Sequence, residues 1–181
     1  MKKTATVILL LSLCSLLPAA GGKFFASAGA ALLVPADSNF ADLYGKVQWS
    51  PEIRLGYNMV RNFYFWIGGS FVSASGTLPV LGDEIKASQA FVSLGAGWET
   101  RRMGRLQADV AAALLMAGSR ERALGTTVSK WAPGLDVRAG LRYFLKKNIF
   151  LGVSLGYAGA WTAVQTASGE KDIILGGLRL G

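Results

Sequence analysis

A period of two runs through this chain in stretch after stretch, and it limits the possible folds more than any other feature. In residues 135–145, Leu135, Val137, Ala139, Leu141, Tyr143 and Leu145 alternate with Asp136, Arg138, Gly140, Arg142 and Phe144. All three charges fall on one face. A helix repeats every 3.6 residues or so and would spread those charges around its circumference; a strand puts them on one side. Residues 47–59 repeat the pattern: Val47, Trp49, Pro51, Ile53, Leu55, Tyr57 and Met59 stand against Gln48, Ser50, Glu52, Arg54, Gly56 and Asn58. In 149–162 the large apolar set Ile149, Leu151, Val153, Leu155, Tyr157 and Trp161 faces away from a mostly small one, including Gly152, Ser154, Gly156, Ala158 and Ala160.

Followed along the chain, the alternation predicts strands over Lys23–Val34, Val47–Met59, Phe63–Ser75, Ser88–Thr100, Arg105–Gly118, Ala132–Leu145, Ile149–Thr162 and Ile173–Leu180. Most are slightly longer than the roughly 9–11 tilted residues that cross a bilayer. Short links at Val60–Asn62, Arg101–Gly104 and Lys146–Asn148 alternate with longer ones at Pro35–Lys46, Gly76–Ala87, Ser119–Trp131 and Ala163–Asp172. Eight antiparallel strands in up-and-down order need this rhythm. Short periplasmic turns with longer outward loops are the pattern of outer-membrane barrels, and they put both mature termini on the periplasmic side.

Composition agrees with strands that face lipid. Hydrophobic residues make up 51% of the 181, and charged residues only 17%, against about 25% in an ordinary soluble domain. The N-terminus carries its own signal. Lys2 and Lys3 precede an apolar run from Ala5 to Leu17, followed by the small-residue exit Pro18-Ala19-Ala20-Gly21-Gly22. The run is shorter than the roughly 20 residues of a spanning helix, so residues 1–22 are read as a cleaved Sec signal peptide and 23–181 as one barrel domain. Cys14, the sole cysteine, lies inside the apolar run after Leu13, which is too large for a lipoprotein box. The mature chain then has no thiol chemistry. The net charge of +8 comes with no dense basic block and no nucleic-acid motif, so nucleic acid is not an expected partner.

Three physical facts assign the faces. An eight-stranded barrel has a narrow interior that side chains fill, and the small face, with Gly95, Gly97, Gly152, Gly156, Ala158 and Ala160, suits it. Aromatic residues lie near strand ends: Trp49, Tyr57, Phe63, Phe65, Trp98, Trp131, Tyr143, Tyr157 and Trp161. Such rings form the interfacial girdles of membrane barrels. The polar face carries Glu52, Glu99, Asp109 and Asp136 against Arg54, Arg138, Arg142 and Arg179. Buried charges must be paired, and this set can pair. An Arg or Lys on the lipid side at the midplane would cost about 2–4 kcal/mol. The expected fold is therefore all-β: an eight-stranded antiparallel up-and-down transmembrane β-barrel whose closure satisfies every backbone group in lipid.

Strands such as Phe150-Leu151-Gly152-Val153-Ser154-Leu155-Gly156-Tyr157, and the segments Gly140-Leu141-Arg142-Tyr143 and Gly177-Leu178-Arg179-Leu180, resemble those of small bacterial outer-membrane barrels, the group of OmpA-type, opacity-type and OmpW-type proteins. The resemblance implies outer-membrane lipid and lipopolysaccharide as surroundings, and barrel assembly machinery as a partner during biogenesis. Family members commonly close on an aromatic residue; here the last residues are Leu178-Arg179-Leu180-Gly181.

The chain contains no histidine, which removes the commonest general base and metal ligand and excludes a Ser-His-Asp triad. Glu52 and Asp136 each have an arginine two positions away on the same face, which favours an ionised, structural carboxylate over an acid–base catalyst. No cofactor or metal motif is present. The reading is a non-enzymatic monomer with a side-chain-plugged interior, contributing to envelope integrity or to surface interaction through its loops, with the surface ligand unidentified. A second reading is a narrow channel for small solutes or apolar molecules, and a third a lipid-modifying enzyme. The basic short turns, with Arg61, Arg101, Arg102, Arg105, Lys146 and Lys147, suit anionic lipid headgroups.

Overall fold

In the computed structural model, residues 24–59, 62–77, 83–123, 126–166 and 169–181 are described. The leader assigned to residues 1–22, Lys23 and Arg61 lie outside them. The strands are β1 (Phe24–Pro35), β2 (Gln48–Asn58), β3 (Phe63–Thr77), β4 (Glu84–Glu99), β5 (Leu106–Ala123), β6 (Thr126–Lys146), β7 (Ile149–Thr166) and β8 (Gly169–Leu180), with one helix, α1 (Ser38–Tyr44), between β1 and β2. Each strand pairs antiparallel with its neighbours, and β8 returns to β1 to close the barrel.

The closing seam joins Leu32–Pro35 to Gly177–Leu180. One register line leaves β1 at Phe25, passes Gly56, Trp66, Gly95, Ala113, Asp136, Ala158 and Gly177, and re-enters β1 at Pro35, ten residues further on. That stagger tilts the strands and fixes which inward side chains share a level of the lumen.

Strands and links depart from expectation at one end of the barrel. Two of the four longer links, Ser119–Trp131 and Ala163–Asp172, are mostly paired strand, and the described ends of Gly76–Ala87 are largely paired too. β4 starts at Glu84 and not Ser88, β5 runs to Ala123 and not Gly118, β6 starts at Thr126 and not Ala132, β7 runs to Thr166, and β8 starts at Gly169. The hairpins continue past the apolar band, where both faces meet water. Ser119, Arg120, Glu121 and Arg122 are polar on both sides, so no alternation marks the ladder there.

The fourth link, expected as a loop, carries α1. Asp37 caps it, its carboxylate accepting from Asn39 N at 2.8 Å and Phe40 N at 3.2 Å, and Phe40, Leu43 and Tyr44 at positions i, i+3 and i+4 give it one apolar face. That face packs on Ala74, Ile85 and Ala87 inside the rim. A Cβ on Gly76 would lie 2.0 Å from the Leu43 carbonyl oxygen; only glycine lets the helix backbone sit this close to β3. At the helix end, Gln48 Nε2 donates to Tyr44 O at 2.5 Å and Gly45 O at 3.0 Å.

Candidate functional site: the lumen and its two ends

The alternation delivers side chains to two environments. Facing outward are exposed large apolar residues from every strand, among them Ile53, Ile67, Leu94, Leu114, Leu135, Leu155 and Leu178. Leu114 is 72% exposed, a degree of apolar exposure that water would penalise at about 25 cal/mol per Å². All nine aromatic residues singled out above stand on this outer face. Phe63 pairs across from Trp98, Tyr57 across from Phe65, and Phe24 packs on Tyr57 with ring centroids 4.8 Å apart. These lie toward the short-turn end with Tyr143, whereas Trp49, Trp131 and Trp161 lie toward the hairpin end. Tyr157 sits between, half-buried beside Val137 and Leu178.

Facing inward, the structure brings the eight charged residues into two groups. In one, Arg54 pairs with Glu52 at 2.5 Å and Arg138 with Asp136 at 2.7 Å, while Arg138 also approaches Glu52, and Arg179 approaches Asp136, each at 4.0 Å. Ser93 donates to Asp136 at 2.9 Å. Toward the short turns, Arg142 joins Glu99 at 3.0 Å and Asp109 at 3.2 Å, and Tyr64 donates to Asp109 at 2.9 Å. The upper group holds three guanidiniums and two carboxylates, the lower one guanidinium and two carboxylates, so the excess charges oppose and these eight residues sum to zero. Low polarity inside strengthens both the pairing and the penalty for any partner lost.

Aromatic rings that sequence reasoning did not assign to the lumen complete this network. The Arg138 guanidinium lies 4.2 Å from the Trp66 ring centre and that of Arg179 lies 4.6 Å from Phe91. Each gains a cation–π contact of about 0.5–2 kcal/mol. Between the two groups is a cavity of about 90 Å³, bordered by Arg54, Tyr64, Trp66, Asp109, Arg138 and Arg142 and, on the β1–β7 side, by Ala28, Ala30 and Val153. It has room for a few water molecules, and buried donors such as Arg54 Nε, Arg138 Nε and Trp66 Nε1, which no protein atom satisfies, suit such occupants.

Above the charged groups the lumen changes character. Leu33, Val72, Phe91, Leu115, Ala117, Ala132, Ala158, Ala160 and Leu175 form one buried apolar cluster, with Leu33, Val72, Ala117, Ala158 and Ala160 wholly inaccessible. The expectation of an interior of small residues and ion pairs is corrected here: large apolar residues fill a full layer. The signal was present, because Phe91 shares the parity of Gln89 and Ser93, and Leu33 that of Gly29 and Ala31. Over this layer sits α1. Burial, and to a lesser extent nearby Glu121, pushes the Tyr44 hydroxyl up to about 12. The Glu121 carboxyl at the rim is itself pushed up by its surroundings and by Asp37.

At the opposite end, two short turns touch. Arg102 Nε donates to Gly104 O at 3.0 Å and its Nη1 to Lys147 O at 3.4 Å, with its guanidinium 3.9 Å from the centre of Phe144. Arg105 donates to the Tyr143 hydroxyl. Arg101, Arg102, Arg105, Lys146 and Lys147 are all exposed here.

No family model matches the chain, and no curated protein matches it either. Solved structures do. Neisserial surface protein A superposes with a TM-score of 0.58 at 16% identity, over 87% of this chain and 93% of that one. Ail, the attachment invasion locus protein of Yersinia pestis, solved in complex with the heparin analogue sucrose octasulfate, gives 0.51 at 14% identity, over 88% and 95%. The chain has the fold of the small eight-stranded outer-membrane β-barrels.

Proposed function

We propose that this protein is a non-enzymatic, integral outer-membrane barrel whose interior is plugged and whose hairpins and α1 face the outside of the cell, where they contribute to envelope integrity or make surface contacts. The observation that supports the reading is the pairing of an apolar outer band with a lumen lined by paired charges and, above them, a packed apolar layer. Hydrocarbon accepts Leu114, Ile53 and Leu94 without cost, and the strands pair in sequence from β1 to β8, with β8 returning to β1 over Leu32–Pro35. Within, two charge-paired levels and one apolar level succeed one another, and α1 covers the far end.

An enzyme would need a reactive group held free for chemistry. Here Glu52, Glu99, Asp109 and Asp136 are each engaged by an arginine, a tyrosine or a serine, and there is no histidine. The short turns, in this reading, face the periplasm, and the exposed outward aromatics mark the two interfaces. Planar-bilayer recording tests the plug: the reconstituted barrel should show no unitary current steps, and steady single-channel openings would overturn it in favour of a narrow pore. Mass spectra of lipid A from cells with and without the protein should be identical if it performs no lipid chemistry.

A further inference from the structure

Above the outward apolar band, one side of the barrel carries a cluster of cations. On the outer face of β4 and β5, Lys86 stands directly across the ladder from Arg122, and Arg120 lies across from Ser88. Like charges placed opposite one another destabilise a sheet, so this arrangement invites an anion. Glu84 reaches Lys86 at 3.3 Å, but among the described residues no carboxylate pairs with Arg120 or Arg122. Arg122 Nε instead faces the Thr127 hydroxyl at 3.5 Å. Arg120, Arg122 and Lys86 are exposed.

What lies beneath them sets the depth. Trp131, 61% exposed, is paired across from Gly118. A Cβ on Gly118 would come within 2.9 Å of the indole, so the ring lies flat on the glycine. Two residues further down the same face of β5 come Met116 and then Leu114, both exposed. Reading down β5, the outer face thus runs from two arginines to a ring-covered glycine to aliphatic side chains. At about 3.4 Å per residue of strand, Arg120 lies about 7 Å along β5 from Gly118, and Arg122, with Lys86 across from it, about 13 Å.

We propose that this face is a binding site for a phosphorylated glycolipid of the outer leaflet, with Arg120, Arg122 and Lys86 holding its phosphate groups and Trp131 lying against the boundary between its sugars and acyl chains. The inference rests on the reading that the hairpins face outward in an outer membrane. Arginine forks match phosphate oxygens two at a time. A phosphate carried directly on a sugar that bears the acyl chains is held at this depth, whereas a soluble polyanion is not drawn to the indole.

Two measurements on the full-length protein separate the site from the topology. In detergent, native mass spectrometry should detect bound diphosphorylated lipid A, and Arg120→Gln/Arg122→Gln should weaken its retention tenfold or more. Dephosphorylated lipid A should bind wild type as poorly. Lys46→Gln, an exposed cation after α1 and outside the cluster, should leave retention unchanged. Equal retention of lipid A by the Arg120/Arg122 variant, equal binding of the dephosphorylated lipid, or displacement by an equimolar soluble polysulfated disaccharide would each overturn the site. A thiol-reactive dye on Asp42→Cys, exposed on α1, should label intact cells. Labelling only after the outer membrane is breached would refute the orientation and the leaflet assignment together, whereas labelling of intact cells with undiminished lipid A retention refutes the glycolipid site alone.

Discussion

The two halves of the lumen are lined by opposite kinds of side chain. Toward the short turns, the interior is charged, with Arg142, Glu99, Asp109 and Tyr64 at one level and Arg54, Glu52, Asp136, Arg138 and Arg179 above it. Toward the hairpins it is apolar, built on Leu33, Val72, Phe91, Leu115 and Leu175, and roofed by α1. The contrast teaches that pairing and packing are interchangeable as ways to fill a narrow barrel but fail differently. A lost ion partner leaves a stranded charge, whereas a lost methyl group leaves a hole.

The sharpest way to break the comparison is at Asp136, which is 2% exposed. Asp136→Ala strands Arg138 and Arg179 and removes the acceptor of Ser93, and should cost about 3–5 kcal/mol, read as a lower urea midpoint of the barrel refolded in lipid. Leu115→Ala, in the apolar level, should cost about 2–5 kcal/mol depending on how far its neighbours collapse. It should also differ in kind: brief conductance steps in planar bilayers are expected from a hole in the apolar level, and none from Asp136→Ala if Trp66 and the remaining arginines still fill theirs. Identical electrical silence in both variants would show that α1 alone closes the hairpin end.

Smaller effects sharpen the role of that roof. Gly76→Ala forces a methyl group against the Leu43 carbonyl and should cost about 1–3 kcal/mol, seen as faster proteolysis around residues 38–44 with the strands intact. The smallest effect is pH-dependent. Glu121 has its carboxyl raised in the fold, first by desolvation and then by Asp37. A carboxyl raised in the folded state ionises first in the unfolded one, so α1 should be held most firmly at acid pH and loosen as pH climbs from the ordinary carboxylate range through the raised value. Glu121→Gln should flatten that dependence in hydrogen exchange of α1 between pH 4 and 7; an unchanged slope would assign it to another group.

The sequence by itself determined the number of strands, their order, and which side chains face in. The alternation of Leu135–Leu145 and Val47–Met59 leaves no other side for Asp136, Arg138, Arg142, Glu52 and Arg54 to share, because period two is a property of the extended backbone. It did not reveal where the hairpins end, since Ser119–Arg122 is polar on both faces once the ladder rises out of the apolar band, nor α1, whose seven residues carry only a cap at Asp37 and a short apolar face. Only the tertiary structure decided which inward residues meet. The ten-residue stagger sets Ser93 of β4 against Asp136 of β6 and Tyr64 of β3 against Asp109 of β5, and it stacks a level of large apolar residues above the charges. Partners 43 and 45 residues apart in the chain are chosen by shear and tilt, which belong to the closed barrel as a whole and to no single strand.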